Sequence, residues 1–94
     1  MSQEFKKTVT IKNRNGLHVR TATQLVKTAN QFNCQVFIDR EGYERANAKS
    51  IMSVLTLAAP KGSKITLITQ GDEGEKCLHA LVDLVDNRFG EDGE

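Results

Sequence analysis

Tryptophan is absent from this sequence, and tyrosine occurs once beside four phenylalanines. The chain therefore has few flat side chains on which nucleic-acid bases can stack. A surplus of one charge is also missing. Thirteen Lys and Arg face twelve Asp and Glu, for a net charge of +1, whereas a protein that grips a phosphate backbone normally carries a basic excess. Nucleic acid is thus ruled out as the main partner. Cysteine is scarce. Cys34 and Cys77 stand far apart, with no CxxC and no zinc-type spacing, so no metal constellation is expected, and two small buried thiols are the simpler expectation over a disulfide. No apolar run approaches ~20 residues, and "MSQEFKK" has no hydrophobic signal region. A cytoplasmic chain without direct membrane insertion is expected. GxGxxG, the Walker sequence and GxSxG are all missing, which removes the common nucleotide-binding and acyl-transfer frameworks and leaves no cofactor to expect.

What is there suffices for one domain over residues 1–94 with a modest core. "EFKKTVTIKN" (4–13) alternates apolar and polar residues and predicts a half-buried strand. "NRNG" supplies a turn ending on Gly16, which tolerates positive φ. Ala22, Leu25, Val26, Ala29 and Phe32 then recur at helical spacing, with Asn33 as the expected stop. "CQVFIDR" (34–40) reads as a second strand, with Val36 and Ile38 on one side and Phe37 on the other; Glu41-Gly42 makes a short turn into "YERAN", a brief third strand. A helix is predicted over 48–60, capped by Asn47 or Ser50 and stopped by Pro60. "KGSKITLITQG" is a fourth strand showing Ile65, Leu67 and Thr69 on one face. The last helix begins at Asp72 with a D-x-x-E capping pattern to Glu75, and buries Cys77, Leu78, Leu81, Val82, Val85 and Phe89. Gly90 is the expected stop, leaving a frayed acidic tail at about 90–94. The order β-α-β-β-α-β-α is that of an α+β fold, a mostly antiparallel four-stranded sheet covered on one face by three helices.

One short segment carries the chemistry. If the first helix starts near Val19, His18 lies at its N-cap. The first backbone N–H groups of a helix, here those of Val19 and Arg20, have no intrahelical partner and sit at the positive end of the helix dipole. An anion on or beside His18 would meet ready donors, and phosphate is a frequent guest of such ends. Arg20 adds a permanent cation with a planar donor fork. The same positive end works against protonating the ring, which keeps one ring nitrogen free as a nucleophile. His18 is therefore a candidate phosphoryl acceptor, although a histidine at a helix start is more often an ordinary capping or surface residue. His79 lies mid-helix with no such surroundings and reads as a surface residue.

The segment Gly16-Leu17-His18-Val19-Arg20-Thr21-Ala22 resembles the Gly-Leu-His-x-Arg-Pro-Ala motif of the HPr family, the histidine-containing phosphocarriers of the bacterial phosphotransferase system. "NAKSIM" (47–52) matches a second signature of that family without a gap, and "KGSKITLITQG" fits its Lys-Gly strand entry. Two separated motifs in one register over nearly the whole chain make the likeness specific. The resemblance implies an open-faced β-sandwich and a carrier rather than an enzyme in the strict sense. His18 would take phosphate from phosphorylated enzyme I and give it to an enzyme IIA domain, with Nδ1 as the phosphorylated atom and Arg20 holding the phosphate. It also implies that Ser50, otherwise a helix cap, is a regulatory phosphorylation site for a serine kinase/phosphorylase in some members, and that regulatory proteins are further partners. One departure is Thr21 where the family has proline: rigidity and a pre-set φ are exchanged for a backbone donor and a hydroxyl.

The helix over 48–60 is apolar nearly all round. Val54 and Leu57 are expected in the core. Ile51, Met52 and Leu55 fall on the other flank as a docking surface, with Lys27 and Lys49 as charge complements to acidic partners. A monomer with transient contacts is expected. The alternatives are a nitrogen-branch phosphoryl relay and a purely regulatory HPr-like binding module.

Overall fold

The structure, a computed structural model, describes residues 3–91. Strand β1 (Glu4–Thr10) is followed by helix α1 (Val19–Ala29), β2 (Gln35–Asp39), β3 (Ala46–Asn47), α2 (Ile51–Leu55), β4 (Lys64–Gln70) and α3 (Gly74–Asp86), and a 3-10 turn spans Arg88–Gly90. The order is the expected one. The strands form a single sheet in the order β1-β4-β2-β3, with every pairing antiparallel.

The sheet's alternation creates the core. Val9 lies opposite Ile65, Ile38 opposite Leu67 and Val36 opposite Thr69, and all six are buried on the side where the helices pack. The helices meet them with Ala22, Leu25, Val26 and Ala29 of α1, Val54 of α2, Leu57 just beyond it, and Cys77, Leu78, Leu81 and Val85 of α3. Thr69, polar and fully buried, is satisfied by donating its hydroxyl to the Gly74 carbonyl at 2.6 Å. Both cysteines are free, Cys77 buried and Cys34 half-buried; burial above all pushes the Cys77 thiol up to about 12, with Cys34 adding to it. The other sheet face is uncovered. There the Arg45 guanidinium forks onto Asp39, both bonds 2.8 Å, and stands 5.6 Å above the Phe37 ring. Ile68 is buried even on this side, between its cross-strand neighbours Lys6 and Phe37.

Several boundaries differ from expectation, each for a local reason. α1 ends at Ala29, four residues before Asn33, and Phe32 reaches the core from the following turn. β3 keeps only two of the five residues of "YERAN"; the Tyr43 N–H instead closes the turn by bonding the Arg40 carbonyl at 3.0 Å. α2 is five residues long rather than spanning 48–60. Before it, the Ala48 N–H still bonds the sheet at the Val36 carbonyl, 2.9 Å. After it, Leu57 and Ala58 bond three residues back, and Ala58 turns to a φ of 47°. The carbonyls left open there accept from Arg40 Nη1, at 2.7 Å on Leu57 and 3.1 Å on Ala58. α3 is not started by a box of Asp72 and Glu75. Glu73 takes the cap position without a side-chain cap bond, because its carboxylate accepts the Asn33 N–H at 2.6 Å. Among the described residues no helix is long and apolar enough to cross a membrane.

Candidate phosphoryl-transfer site

The site begins where β1 ends. Asn13 is completely buried, and its Nδ2 donates to the Gly16 carbonyl at 2.8 Å. The Gly16 N–H returns to the Asn13 carbonyl at 3.2 Å. Gly16 has a φ of +63°, and a Cβ there would lie 2.3 Å from the Ala59 carbonyl oxygen, so only glycine fits this turn against the segment after α2. The next N–H, that of Leu17, bonds the same Ala59 oxygen at 2.8 Å, and the Leu17 side chain enters the core. These contacts deliver His18 in an extended conformation as the N-cap of α1.

The two ring nitrogens of His18 face different surroundings. Nδ1 accepts the Arg20 backbone N–H at 3.3 Å, as expected for a group over the open end of a helix. An N–H can point at Nδ1 only if that nitrogen carries a lone pair, so in this arrangement the ring proton belongs on Nε2. Nε2 lies 3.4 Å from Oε2 of Glu91, a close approach that falls short of a hydrogen bond. Thr21 completes the cap. It is fully buried, its Oγ1 accepts the His18 N–H at 3.0 Å and donates to the Gly16 carbonyl at 2.9 Å. The residue that replaces the family's proline thus ties the turn to the helix through its hydroxyl, the reciprocal half of a capping box.

Arg20 is largely exposed, and its Nη2 is paired with the Glu91 carboxylate. That carboxylate is 8% exposed, and its other oxygen accepts Asn13 Nδ2 at 3.0 Å. The Arg20 hydrogen bond foremost, then the Asn13 bond and the charges of Arg20 and His18, hold the Glu91 carboxyl below the usual carboxylate range against the opposing effect of burial. Glu91 arrives through a left-handed turn: Arg88 and Phe89 both have φ of 55° and Gly90 of 73°. Left-handed backbone costs a non-glycine residue about 1–2 kcal/mol, and the buried Phe89 ring anchors the turn against it. The expectation of a frayed tail fails for Gly90 and Glu91, because Phe89 and the Arg20 pairing hold them; residues 92–94 lie outside the described residues.

Helix α2 lies beside α1 on the same side of the sheet. Ser50 is its cap, accepting the Ser53 N–H at 3.3 Å, while Asn47, the other capping candidate, takes the Lys49 N–H at 2.9 Å in a turn of its own. Of the three expected docking residues only Met52 is well exposed, at 75%; Ile51 and Leu55 are half-buried against the core. A five-residue helix exposes a narrower flank than a longer one would. Val19, expected to contribute only its N–H, also presents its side chain, 65% exposed beside His18. Lys27 is exposed in the last turn of α1. Lys49 is not free, since its Nζ donates to the Phe32 carbonyl at 2.9 Å. His79 is exposed on α3, away from these groups.

The structure thus brings His18, Arg20 and the start of α1 together and adds two residues that the sequence reading did not single out for the site. Asn13 looked like turn chemistry and Glu91 like tail. No local pattern links Glu91 to Arg20 across 71 residues; only the presence of an acidic segment in a chain with a cationic site hinted at it.

Comparison with known proteins gives the family. A family model described as the PTS HPr component phosphorylation site matches residues 5–87. The phosphocarrier protein HPr of Pseudomonas aeruginosa is 43% identical over 83 residues, which cover 88% of this chain and 92% of that protein. The HPr-like protein Crh of Halalkalibacterium halodurans is 40% identical over 81 residues, 86% of this chain and 95% of that one. Among solved structures, HPr-C-His from Thermoanaerobacter tengcongensis superposes with a TM-score of 0.89 at 38% identity, covering 95% of this chain and 99% of its own. With the His18 segment, the open-faced sheet and these likenesses in agreement, the chain belongs to the HPr family of phosphocarrier proteins of the phosphotransferase system.

Proposed function

We propose that this chain carries a phosphoryl group on His18, accepting it from phosphorylated enzyme I and passing it to enzyme IIA domains for sugar uptake and its regulation. The observation that carries the reading is the N-cap position of His18, with Nδ1 on the Arg20 N–H and the Arg20 guanidinium on the same side of the site. Nδ1 is the nitrogen with the available lone pair, so it is the proposed acceptor. In the transfer the donor's N–P bond breaks as the bond to Nδ1 forms, and the donor nitrogen keeps the electron pair. The proton on Nε2 stays in place. The Arg20 N–H, released from Nδ1, then has a phosphoryl oxygen to serve, and the helix end and guanidinium offset the new negative charge. Val19 and Met52 are the exposed apolar groups for brief docking, with Lys27 as a charge complement. The carrier acts as a cytoplasmic monomer.

The test is incubation with phosphoenolpyruvate and enzyme I. An acid-labile, base-stable phosphate is expected on the native chain and none on His18→Ala. Full labelling of His18→Ala would overturn the assignment, and no labelling of the native chain by a competent enzyme I would leave the regulatory-module reading. That second reading has support in the likeness to Crh, and the presence of His18 weighs against it. Ser50 is proposed as a regulatory site: phosphate on its hydroxyl would sit at the start of α2, where its oxygens can still accept the Ser53 N–H, and would place about two negative charges beside Met52. Incubation with ATP and a serine kinase, comparing the native chain with Ser50→Ala, tests it.

A further inference from the structure

The two cysteines have no part in the chemistry at His18, yet the fold brings them side by side from distant segments. The turn that carries Asn33 and Cys34 is tied to the start of α3 by two hydrogen bonds. The Asn33 N–H donates to the Glu73 carboxylate at 2.6 Å, and the Glu73 N–H donates to the Asn33 carbonyl at 3.3 Å. Cys77 follows Glu73 by one helical turn, its N–H on the Glu73 carbonyl at 2.9 Å, so the two share a face of α3. Gly71 closes in from β4. Its backbone, at a φ of +128°, passes so near Cys34 that a Cβ there would stand 3.2 Å from the Cys34 Cα. Held in this way, Cys34 packs on the core cluster that contains Cys77, and the two thiols share a side-chain hydrogen bond. They differ in access. Cys77 is fully buried, whereas Cys34 is half-buried and lines an open hollow with Asn33, Gln35, Gln70, Gly71 and Asp72.

We infer that Cys34 and Cys77 form a reversible redox site, which closes into an intramolecular disulfide when a disulfide of low molecular weight reaches Cys34. The Cys34 thiolate attacks one sulfur of the reagent. A bond forms between them, the reagent's own S–S bond breaks, and one thiolate leaves and takes up the proton that Cys34 lost. Cys77 then gives up its proton and attacks the Cys34 sulfur, and the second reagent thiolate leaves with that proton. The chain loses two electrons and two protons, and the reagent is reduced to two thiols. Burial sets the order of the steps. Cys77 is closed to the reagent, and its thiol, pushed up to about 12 chiefly by burial, stays protonated; it reacts only with a sulfur already beside it, and slowly. The bond would join the entry of β2 to α3 and constrain the unfolded chain across the segment between them. In a reducing compartment it would last only while the oxidant does.

The test incubates the full chain with oxidised glutathione and compares it with Cys34→Ser and Cys77→Ala. The native chain is expected to lose both free thiols, to become lighter by two hydrogens and to stay a single chain on a non-reducing gel. Its urea midpoint should rise above that of the reduced chain, and dithiothreitol should restore both thiols. Cys77→Ala should stop with one glutathione on Cys34. Cys34→Ser should keep its Cys77 thiol unreacted; this half-buried position tolerates the change, so the test stands even where Cys77→Ala does not fold. A native chain that keeps both thiols would overturn the inference. So would one that stops with a glutathione on Cys34, or one that joins a second copy through Cys34. None of these readings needs enzyme I, so failure of His18 labelling strikes the carrier reading and leaves the dithiol untouched.

Discussion

His18 is useful because its two nitrogens are made unequal by their neighbours. One meets a backbone donor and the other a carboxylate. In the proposed transfer Arg20 provides the fork for the phosphoryl group, so Arg20→Lys is expected to keep the charge and lose the geometry. With one charge-assisted hydrogen bond worth ~1.5–3 kcal/mol, transfer to an enzyme IIA domain should fall roughly tenfold to a hundredfold, measured as the rate of phosphate loss from the labelled protein on mixing. Thr21 makes a separate prediction about stability. Its buried hydroxyl serves both the Gly16 carbonyl and the His18 N–H, so Thr21→Val, nearly the same size, should cost about 1–3 kcal/mol in urea unfolding. An unchanged midpoint would mean that water replaces the hydroxyl and that the cap does not depend on it.

At the scale of elements, two joints place the site. The first is the turn between β1 and α1, held by Gly16 against the segment after α2. Gly16→Ala would force a Cβ to 2.3 Å from the Ala59 oxygen, and is expected to destabilise the protein by more than about 1 kcal/mol and to slow His18 labelling as well, since the same turn sets the N-cap. Labelling at the native rate on a destabilised fold would separate the two effects. The second is α2 with the turn that follows it, whose residues differ in burial. Leu57→Ala should cost about 2–5 kcal/mol of stability, whereas Met52→Ala should leave stability within ±0.5 kcal/mol and raise the concentration of partner needed for half-maximal transfer. The periodicity that revealed α1 and α3 was legible because their apolar stripes run for about three turns. α2 was over-extended because apolar residues alone do not say which of them continue a helix. Ala48 is apolar and bonds the sheet, and Leu57 and Ala58 are apolar and belong to the turn that Arg40 closes.

At the scale of the whole molecule, two carboxylates link stability to pH. Asp39 is held below the usual carboxylate range first by its hydrogen bond to Arg45, and Glu91 first by Arg20. The unfolded chain binds protons at these groups at a higher pH than the folded one. Their contribution is therefore full above the ordinary carboxylate range of about 4 and is lost as pH falls through the lower folded values. Urea midpoints should decline in that acid window, and less steeply for Asp39→Asn. The sheet order is also a whole-molecule property. β4 lies between β1 and β2 although it comes last of the strands, and the alternating patterns of the four strands are compatible with several orders.

By itself the sequence determined the element order, the buried stripes of the long helices, and the segment that carries His18 and Arg20, because periodicity, turn residues and helix-end chemistry are local and act over a few neighbouring residues. Only the tertiary structure decided what surrounds them. It set β4 in the middle of the sheet, buried Asn13 and the Thr21 hydroxyl under the helix start, drew Lys49 onto the Phe32 carbonyl, and returned Glu91 to Arg20 across 71 residues. Those contacts depend on which distant surfaces the packed core brings within hydrogen-bond reach, and no spacing along the chain encodes that distance.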